Sequence, residues 1–222
     1  PYVEEPHMPP FHRFLTTKLG GKSAPVLVSK DGNFTDSTDI LKYLDSIVSD
    51  DKKIYSDNPE QRQKIEELEE YFDEELGTAT RQWGYFNALD MKNIIQKKWC
   101  QGVPFIEKLL FPVVYPAMRS ITKKKYHVSA ESAAKAYEQI KSIFVKVSSL
   151  LTDRRNYLVG DKMSVADISF ASLAAPILQP PQHPSNSSGS QQLPAKILAE
   201  IKEIRRTAAG EFALNLYENW RY

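Results

Sequence analysis

Two short groups of residues in this sequence have types and spacing suited to ligand chemistry. The first is Ala24-Pro25-Val26-Leu27, at the head of an apolar run of strand length. A proline there removes a backbone donor. It is either an ordinary trans proline at a strand start or the second residue of a cis peptide bond. The cis form would leave the N–H and C=O of Ala24 facing outward, open to an extended ligand. The second group is Asp36-Ser37, ahead of a helical run. Either residue can simply cap the helix. The same physics also serves a ligand: free N–H groups, the positive dipole end and a hydroxyl suit a carboxylate. The adjacent Asp suits an ammonium, so an amino-acid end would fit the pair.

A third group is structural. Ser164 and Asp167 have the spacing of a capping box, and Met163 and Ile168 that of a hydrophobic staple. Loss of the Asp167 side chain should cost about 1–2 kcal/mol on capping grounds. His7 stands alone in a proline-rich loop and reads as a surface residue. Cys100, the single cysteine, reads as a structural thiol. There is no cluster with metal-ligand spacing and no Ser/His/Asp constellation.

The elements that must position these groups follow from periodicity. Tyr2-Val3 has strand character, and Pro6 to Pro10 reads as loop. Phe11 to Leu19 suits a short helix closed by Gly20-Gly21. Ala24 to Val28 is a strand, Lys30-Asp31-Gly32-Asn33 a hairpin turn, and Phe34 opens a second strand. Ile40, Leu41, Leu44, Ile47 and Val48 then fall on one helical face. The polar stretch 50–58 reads as a linker. Beyond it, Ile65, Leu68, Phe72, Leu76, Ala79, Trp83 and Phe86 predict one long amphipathic helix. Ala133, Tyr137, Ile140, Phe144, Val147 and Leu151 predict another. Between them Pro104, Pro112 and Pro116 should break the chain into irregular pieces. Ile168 to Ala175 is a buried helix expected to end before Pro176. Residues 179–194 suit a flexible loop, and two helices close the chain, about 194–206 and 210–220. The expected organisation is a mixed α+β domain over 1–49, a linker over 50–58 and an all-α domain over 59–222.

Composition excludes several classes. Hydrophobic residues make up 41% and charged residues 26%, with a net charge of +1. That whole-chain balance gives no electrostatic footprint for nucleic acid or an anionic membrane. A lone cysteine forms no internal disulfide, which suits a reducing compartment. No apolar run approaches the roughly 20 residues of a membrane span.

The three groups in this order, "APVLV…DG…TDSTDILKYLD", an acidic long helix, then "YLVGDKMSVADISFASLAAP", resemble the cytosolic glutathione transferase superfamily. The resemblance covers nearly the whole chain, including the closing "RTAAGEFALNLYENWR". It implies a partial thioredoxin-like N-terminal domain, lacking that fold's first strand and helix, followed by an all-helical domain. It implies glutathione as co-substrate, no metal, an apolar electrophile as second substrate, a cytoplasmic homodimer, and no nucleic-acid or membrane partner. Carried across, Ala24 and the cis-proline Pro25 would hold the cysteinyl backbone of glutathione. Asp36 and Ser37 would hold its γ-glutamyl end. Lys22, with Ser23, Lys18 and His12 as alternatives, would meet its glycine end. Trp83, Tyr85, Phe86, Phe111 and Tyr115 would line the second-substrate site. The family's thiol-activating residue lies further upstream than Pro1, so the resemblance implies that this chain lacks it. The expected function is conjugation of the glutathione thiolate. The alternatives are a non-catalytic binding or scaffold relative and a thiol transferase using an upstream cysteine.

Overall fold

Gly32, at φ +133°, occupies a backbone region open to glycine, and it closes the turn Lys30-Asp31. That turn joins β1 (Leu27–Ser29) to β2 (Gly32–Phe34) in an antiparallel hairpin. Leu27 pairs with Phe34, Val28 with Asn33 and Ser29 with Gly32. The computed structural model describes residues 2–153, 155–184 and 193–220. Among them the hairpin is the only sheet. Tyr2-Val3 is not a strand. It has no strand beside it, and an extended segment without a ladder partner leaves its donors and acceptors to water.

Contacts divide the chain into two units. The first comprises Pro1–Lys53 and Asn93–Ile121, and the second Ile54–Lys92 and Thr122–Tyr222. One junction, between Lys53 and Ile54, falls inside the linker expected from sequence. Asn93–Ile121 clusters with the N-terminal segment rather than with the helices that flank it.

In the first unit, α1 (Phe11–Lys18) precedes the hairpin and α2 (Ser37–Ile47) follows it. Tyr43 of α2 stacks on Phe34 with ring centroids 4.2 Å apart. Its hydroxyl donates to Asp31 Oδ2 at 2.9 Å, tying helix to turn. No residue of α2 is buried. The second segment of the unit holds most of α5 (Lys92–Trp99) and of α6 (Phe105–Lys125). α6 is one helix with Pro112 and Pro116 inside it, not the irregular stretch the prolines suggest. The two prolines are four residues apart, so they lie on one face, and both are exposed. The carbonyls they release, of Lys108 and Pro112, therefore stay accessible to water, and the helix continues.

The described residues of the second unit form helices joined by loops, with no strand among them. Asn58 caps α3 (Pro59–Tyr71), its side chain accepting from Glu60 N and Gln61 N, with Pro59 at the first position. A π turn over Phe72–Leu76 passes directly into α4 (Gly77–Ala88). The long helix read from sequence is thus present, with one wide turn in it. α7 (Ala130–Leu150) packs on α4 and carries Ile140, Phe144 and Val147 into the core. α8 (Val165–Leu178) is almost wholly buried. It runs two residues past Pro176, whose released carbonyl, Ser172, sits on an exposed position. Arg205 then caps its end, donating to Leu178 O and Gln179 O at 2.7 Å each. α9 (Ala195–Arg205) and α10 (Ala208–Trp220) close the unit. Of the loop expected over 179–194, residues 185–192 lie outside the described residues.

Candidate functional site

The hairpin and the two short helices of the first unit bring the sequence-predicted ligand residues to one edge. Gly21 is the hinge of that arrangement. A Cβ there would sit 2.9 Å from Val26 Cγ2 and 3.4 Å from Thr35 Cβ. The glycine therefore lets the end of α1 touch both the start of β1 and the entry to α2. Lys22 to Pro25 and Thr35 to Ser37 leave from that contact. Lys22, Ala24, Pro25, Asp36 and Ser37 are all exposed. The Ala24–Pro25 peptide is cis, as is Pro9–Pro10.

Asp36 is the N-cap of α2, and its Oδ1 accepts from Thr38 N at 2.9 Å. Capping thus occupies one carboxylate oxygen. Ser37 is the first helical residue, and its side chain stands beside the positive end of the helix. This edge offers exposed backbone polar groups, a hydroxyl, a carboxylate and the Lys22 ammonium. Such a set matches a zwitterionic, peptide-like ligand.

The aromatic candidates are distributed differently. Phe111 and Tyr115 belong to the first unit, and Trp83, Tyr85 and Phe86 to the second. Phe111 is wholly buried and packs on Tyr115 at 5.2 Å, and Tyr115 meets Trp99 edge-on at 6.4 Å. Trp83 is also buried, its Nε1–H donating to Glu200 Oε2 at 2.7 Å. Phe111 and Trp83 are therefore packing residues. Tyr85 lies 5.0 Å from the Tyr126 ring. Burial pushes its hydroxyl above the usual tyrosine value, with Tyr126 adding and Arg81 opposing. Phe86 keeps an exposed ring.

The capping box at the start of α8 is formed. Asp167 is wholly buried and accepts from Ser164 N, Ser164 Oγ and Leu158 N, each at 2.7 Å. Burial raises its carboxyl pKa, and the hydrogen bonds oppose that rise.

The structure also joins residues that sequence spacing kept apart. His7 is not a bare surface residue: its Nδ1 lies 2.6 Å from Glu107 Oε1. A carboxylate only accepts, so the ring N–H is on Nδ1. Glu107 Oε2 accepts from Met8 N at 2.7 Å, and the carboxylate is buried. Glu107 therefore pins the loop before α1 to the first turn of α6. Replacing Glu107 with alanine should cost about 2–3 kcal/mol, because a buried N–H and an imidazole lose a charged acceptor. Thermal unfolding measures this, and an unshifted midpoint would show the bond to be dispensable. Cys100 lies beside the same loop, its thiol 3.8 Å from Met8 Sδ. Burial pushes that thiol up, with Lys108 opposing and Glu107 adding, so it is no activated nucleophile. Among the described residues no group of three or more His, Cys, Asp or Glu could hold a metal ion.

Comparison with known proteins agrees with this architecture. Residues 104–195 match the family "Glutathione S-transferase, C-terminal domain". No protein of curated function matches the sequence. Among solved structures, the β-etherase LigF of Sphingobium sp. strain SYK-6 has a TM-score of 0.54 and 17% identity. The match covers 93% of this chain and 82% of that one. A glutathione S-transferase from Rhodospirillum rubrum F11 gives a TM-score of 0.48 and 18% identity over 95% of this chain and 83% of that one. One from Methylobacterium radiotolerans JCM 2831, solved with glutathione sulfonate, gives 0.41 and 15% over 87% and 72%. Residues 104–195 thus match a glutathione S-transferase C-terminal domain, and the fold is similar to that of the β-etherase LigF. The two parts of this chain are a thioredoxin-like segment and a helical domain.

Proposed function

We propose that this protein binds glutathione at the edge formed by Lys22–Pro25 and Asp36–Ser37, and serves transfer of its thiolate to apolar electrophiles. The observation that carries the reading is the glutathione S-transferase C-terminal domain over residues 104–195. The exposed residues at the start of α2 are consistent with it. In this reading the backbone of Ala24 pairs with the cysteinyl part of the ligand. Ser37 and the first N–H groups of α2 take the γ-glutamyl carboxylate, and the free Asp36 oxygen takes its ammonium. Lys22 meets the glycyl carboxylate.

The test is titration calorimetry with glutathione, on the protein and on Ser37→Ala. A hydrogen bond to a charged carboxylate contributes about 1.5–3 kcal/mol, so affinity should fall by about 10- to 150-fold. Ser37 is exposed, so its removal should barely move the unfolding midpoint. Unchanged affinity would assign the α2 start to capping alone. A conjugation assay with a generic aromatic electrophile then separates an enzyme from a non-catalytic binder. The raised thiol of Cys100 argues against that residue as the nucleophile of a thiol transferase.

A further inference from the structure

The candidate edge has two halves, the backbone at Ala24–Pro25 and the start of α2 at Asp36–Ser37. A ligand that spans both senses the distance between them. The first half is fixed to the hairpin, because β1 begins at Leu27, two residues past Pro25. The second half is the end of a helix none of whose residues is buried. A closed core therefore does not set its direction, and discrete contacts must. One lies at its entry, where a Cβ on Gly21 would stand 3.4 Å from Thr35 Cβ. A rod held at one point can still swing. A second point of attachment is Tyr43, six residues past Ser37 and about 9 Å along the axis at 1.5 Å per residue.

Tyr43 makes two contacts with the hairpin. Its ring stacks on Phe34, with centroids 4.2 Å apart and planes 23° from parallel. Phe34 is the register partner of Leu27, so the stack refers the helix to the strand that follows Pro25. Its hydroxyl donates to Asp31 Oδ2 at 2.9 Å. Asp31 is itself anchored, its N–H donating to Ser29 Oγ at 3.0 Å, and Ser29 Oγ donates to Gly32 O at 3.2 Å. The turn that receives the hydroxyl is thus braced across both strands. A stacked ring can slide at little cost, whereas a directional hydrogen bond fixes the angle.

We infer, resting on the glutathione reading of this edge, that Tyr43 is its positioning residue. The hydroxyl bond to Asp31 and the stack on Phe34 hold the start of α2 at the distance from Ala24 that the bound ligand needs. Tyr43 itself touches no ligand in this assignment. It raises affinity by keeping the binding-competent arrangement populated, so its loss weakens binding only as far as that population falls. The entry contact at Thr35 remains when Tyr43 is changed, so the helix tilts rather than detaches.

The experiment is titration calorimetry of the full chain with glutathione, well below the unfolding midpoint. The proteins are the wild type, Tyr43→Phe, Asp31→Ala, their double variant and Asp31→Asn. Tyr43→Phe keeps the stack and removes the hydroxyl, and Asp31→Asn keeps an oxygen acceptor. Tyr43→Phe and Asp31→Ala should each weaken binding about 2- to 10-fold, the range for one hydrogen bond. The double variant should be no weaker than either single one, and Asp31→Asn should recover most of the loss. Melting curves establish that each variant is folded during the titration. Removal of one hydroxyl, or a change at the exposed Asp31, should allow that. If Tyr43 serves stability alone, the midpoint falls and the dissociation constant stays unchanged. That result overturns the inference, as does additive loss in the double variant or an Asp31→Asn protein as weak as Asp31→Ala. A wild type that binds no glutathione overturns the glutathione reading itself, and the inference with it. A wild type that loses affinity in Ser37→Ala but keeps it in Tyr43→Phe overturns the inference alone.

Discussion

Asp167→Ala should lower the stability of the second unit by about 3 kcal/mol or more, well beyond the loss of a cap. Its carboxylate is wholly out of solvent and accepts two backbone N–H groups and one hydroxyl. Removal leaves the N–H of Ser164 and of Leu158 buried without an acceptor. Each such orphan costs about 1–3 kcal/mol. The Ser164 hydroxyl can rotate to another acceptor and contributes less. The Leu158 bond is the part that capping arithmetic omits. It fixes the segment before α8, which places Leu158 and Val159 in the core. One effect opposes the loss: burial raises the pKa of this carboxyl, so its removal relieves some desolvation. That relief is smaller than two orphaned donors. At about 2–4 °C per kcal/mol for a chain of this size, the midpoint should fall by roughly 6–12 °C. Asp167→Asn is the discriminating companion. It preserves volume but sets an amide N–H against one of the two backbone donors, so it too should destabilise. An Asn variant that melts with the wild type would show that only the space matters.

The capping box was legible because its evidence is local, as residue types at a fixed spacing ahead of an apolar run. The Leu158 bond was not, since nothing in the sequence says where the second carboxylate oxygen points. The same division runs through the fold. α7 and the long helix of α3 and α4 follow from apolar residues every three or four positions. The π turn at 72–76 left no trace, because Leu68, Phe72, Leu76 and Ala79 keep steps that an unbroken α-helix also uses. Pro112, Pro116 and Pro176 suggest helix ends, yet each releases a carbonyl at an exposed position where water replaces the lost bond. At the candidate site, Asp36-Ser37 at the entry to α2 was legible from helix-start chemistry. The His7–Glu107 pair was not. It spans a hundred positions, and a histidine between prolines carries no periodicity to show which carboxylate it will meet. The clustering of Asn93–Ile121 with the N-terminal segment was hidden for the same reason.

Gly210→Ala is expected to be as damaging as the loss of Asp167, although helix propensity alone predicts the opposite. Gly210 lies in the first turn of α10 and is buried. Alanine in a helix is favoured over glycine by about 0.8–1.0 kcal/mol. Against that gain stands the turn between α9 and α10. Thr207 Oγ1 accepts from Gly210 N at 3.0 Å and donates to Ile204 O at 2.7 Å. Ile204 O also accepts from Thr207 N at 3.2 Å. This network draws the start of α10 onto the end of α9. A Cβ on residue 210 would stand 2.2 Å from Ile204 O, 2.9 Å from Arg205 Cα and 3.0 Å from Arg205 C. All three are backbone atoms, so no side chain can swing aside. Relief requires moving α10 away from α9, and Arg205 is itself held by its bonds to Leu178 O and Gln179 O. Overpacking against a yielding neighbour costs about 1–3 kcal/mol. A rigid backbone neighbour puts this site at about 3 kcal/mol or more, well above the propensity gain. Gly84 supplies the contrast. It is inside α4, and the nearest atom to its added Cβ is Pro176 Cβ at 3.8 Å, an ordinary contact. There the propensity term stands alone, and Gly84→Ala should raise stability by about 0.5–1 kcal/mol. Thermal or urea unfolding of the two variants side by side should move the midpoint in opposite directions. A Gly210→Ala protein that melts at or above the wild type would mean that α9 and α10 can move apart at little cost.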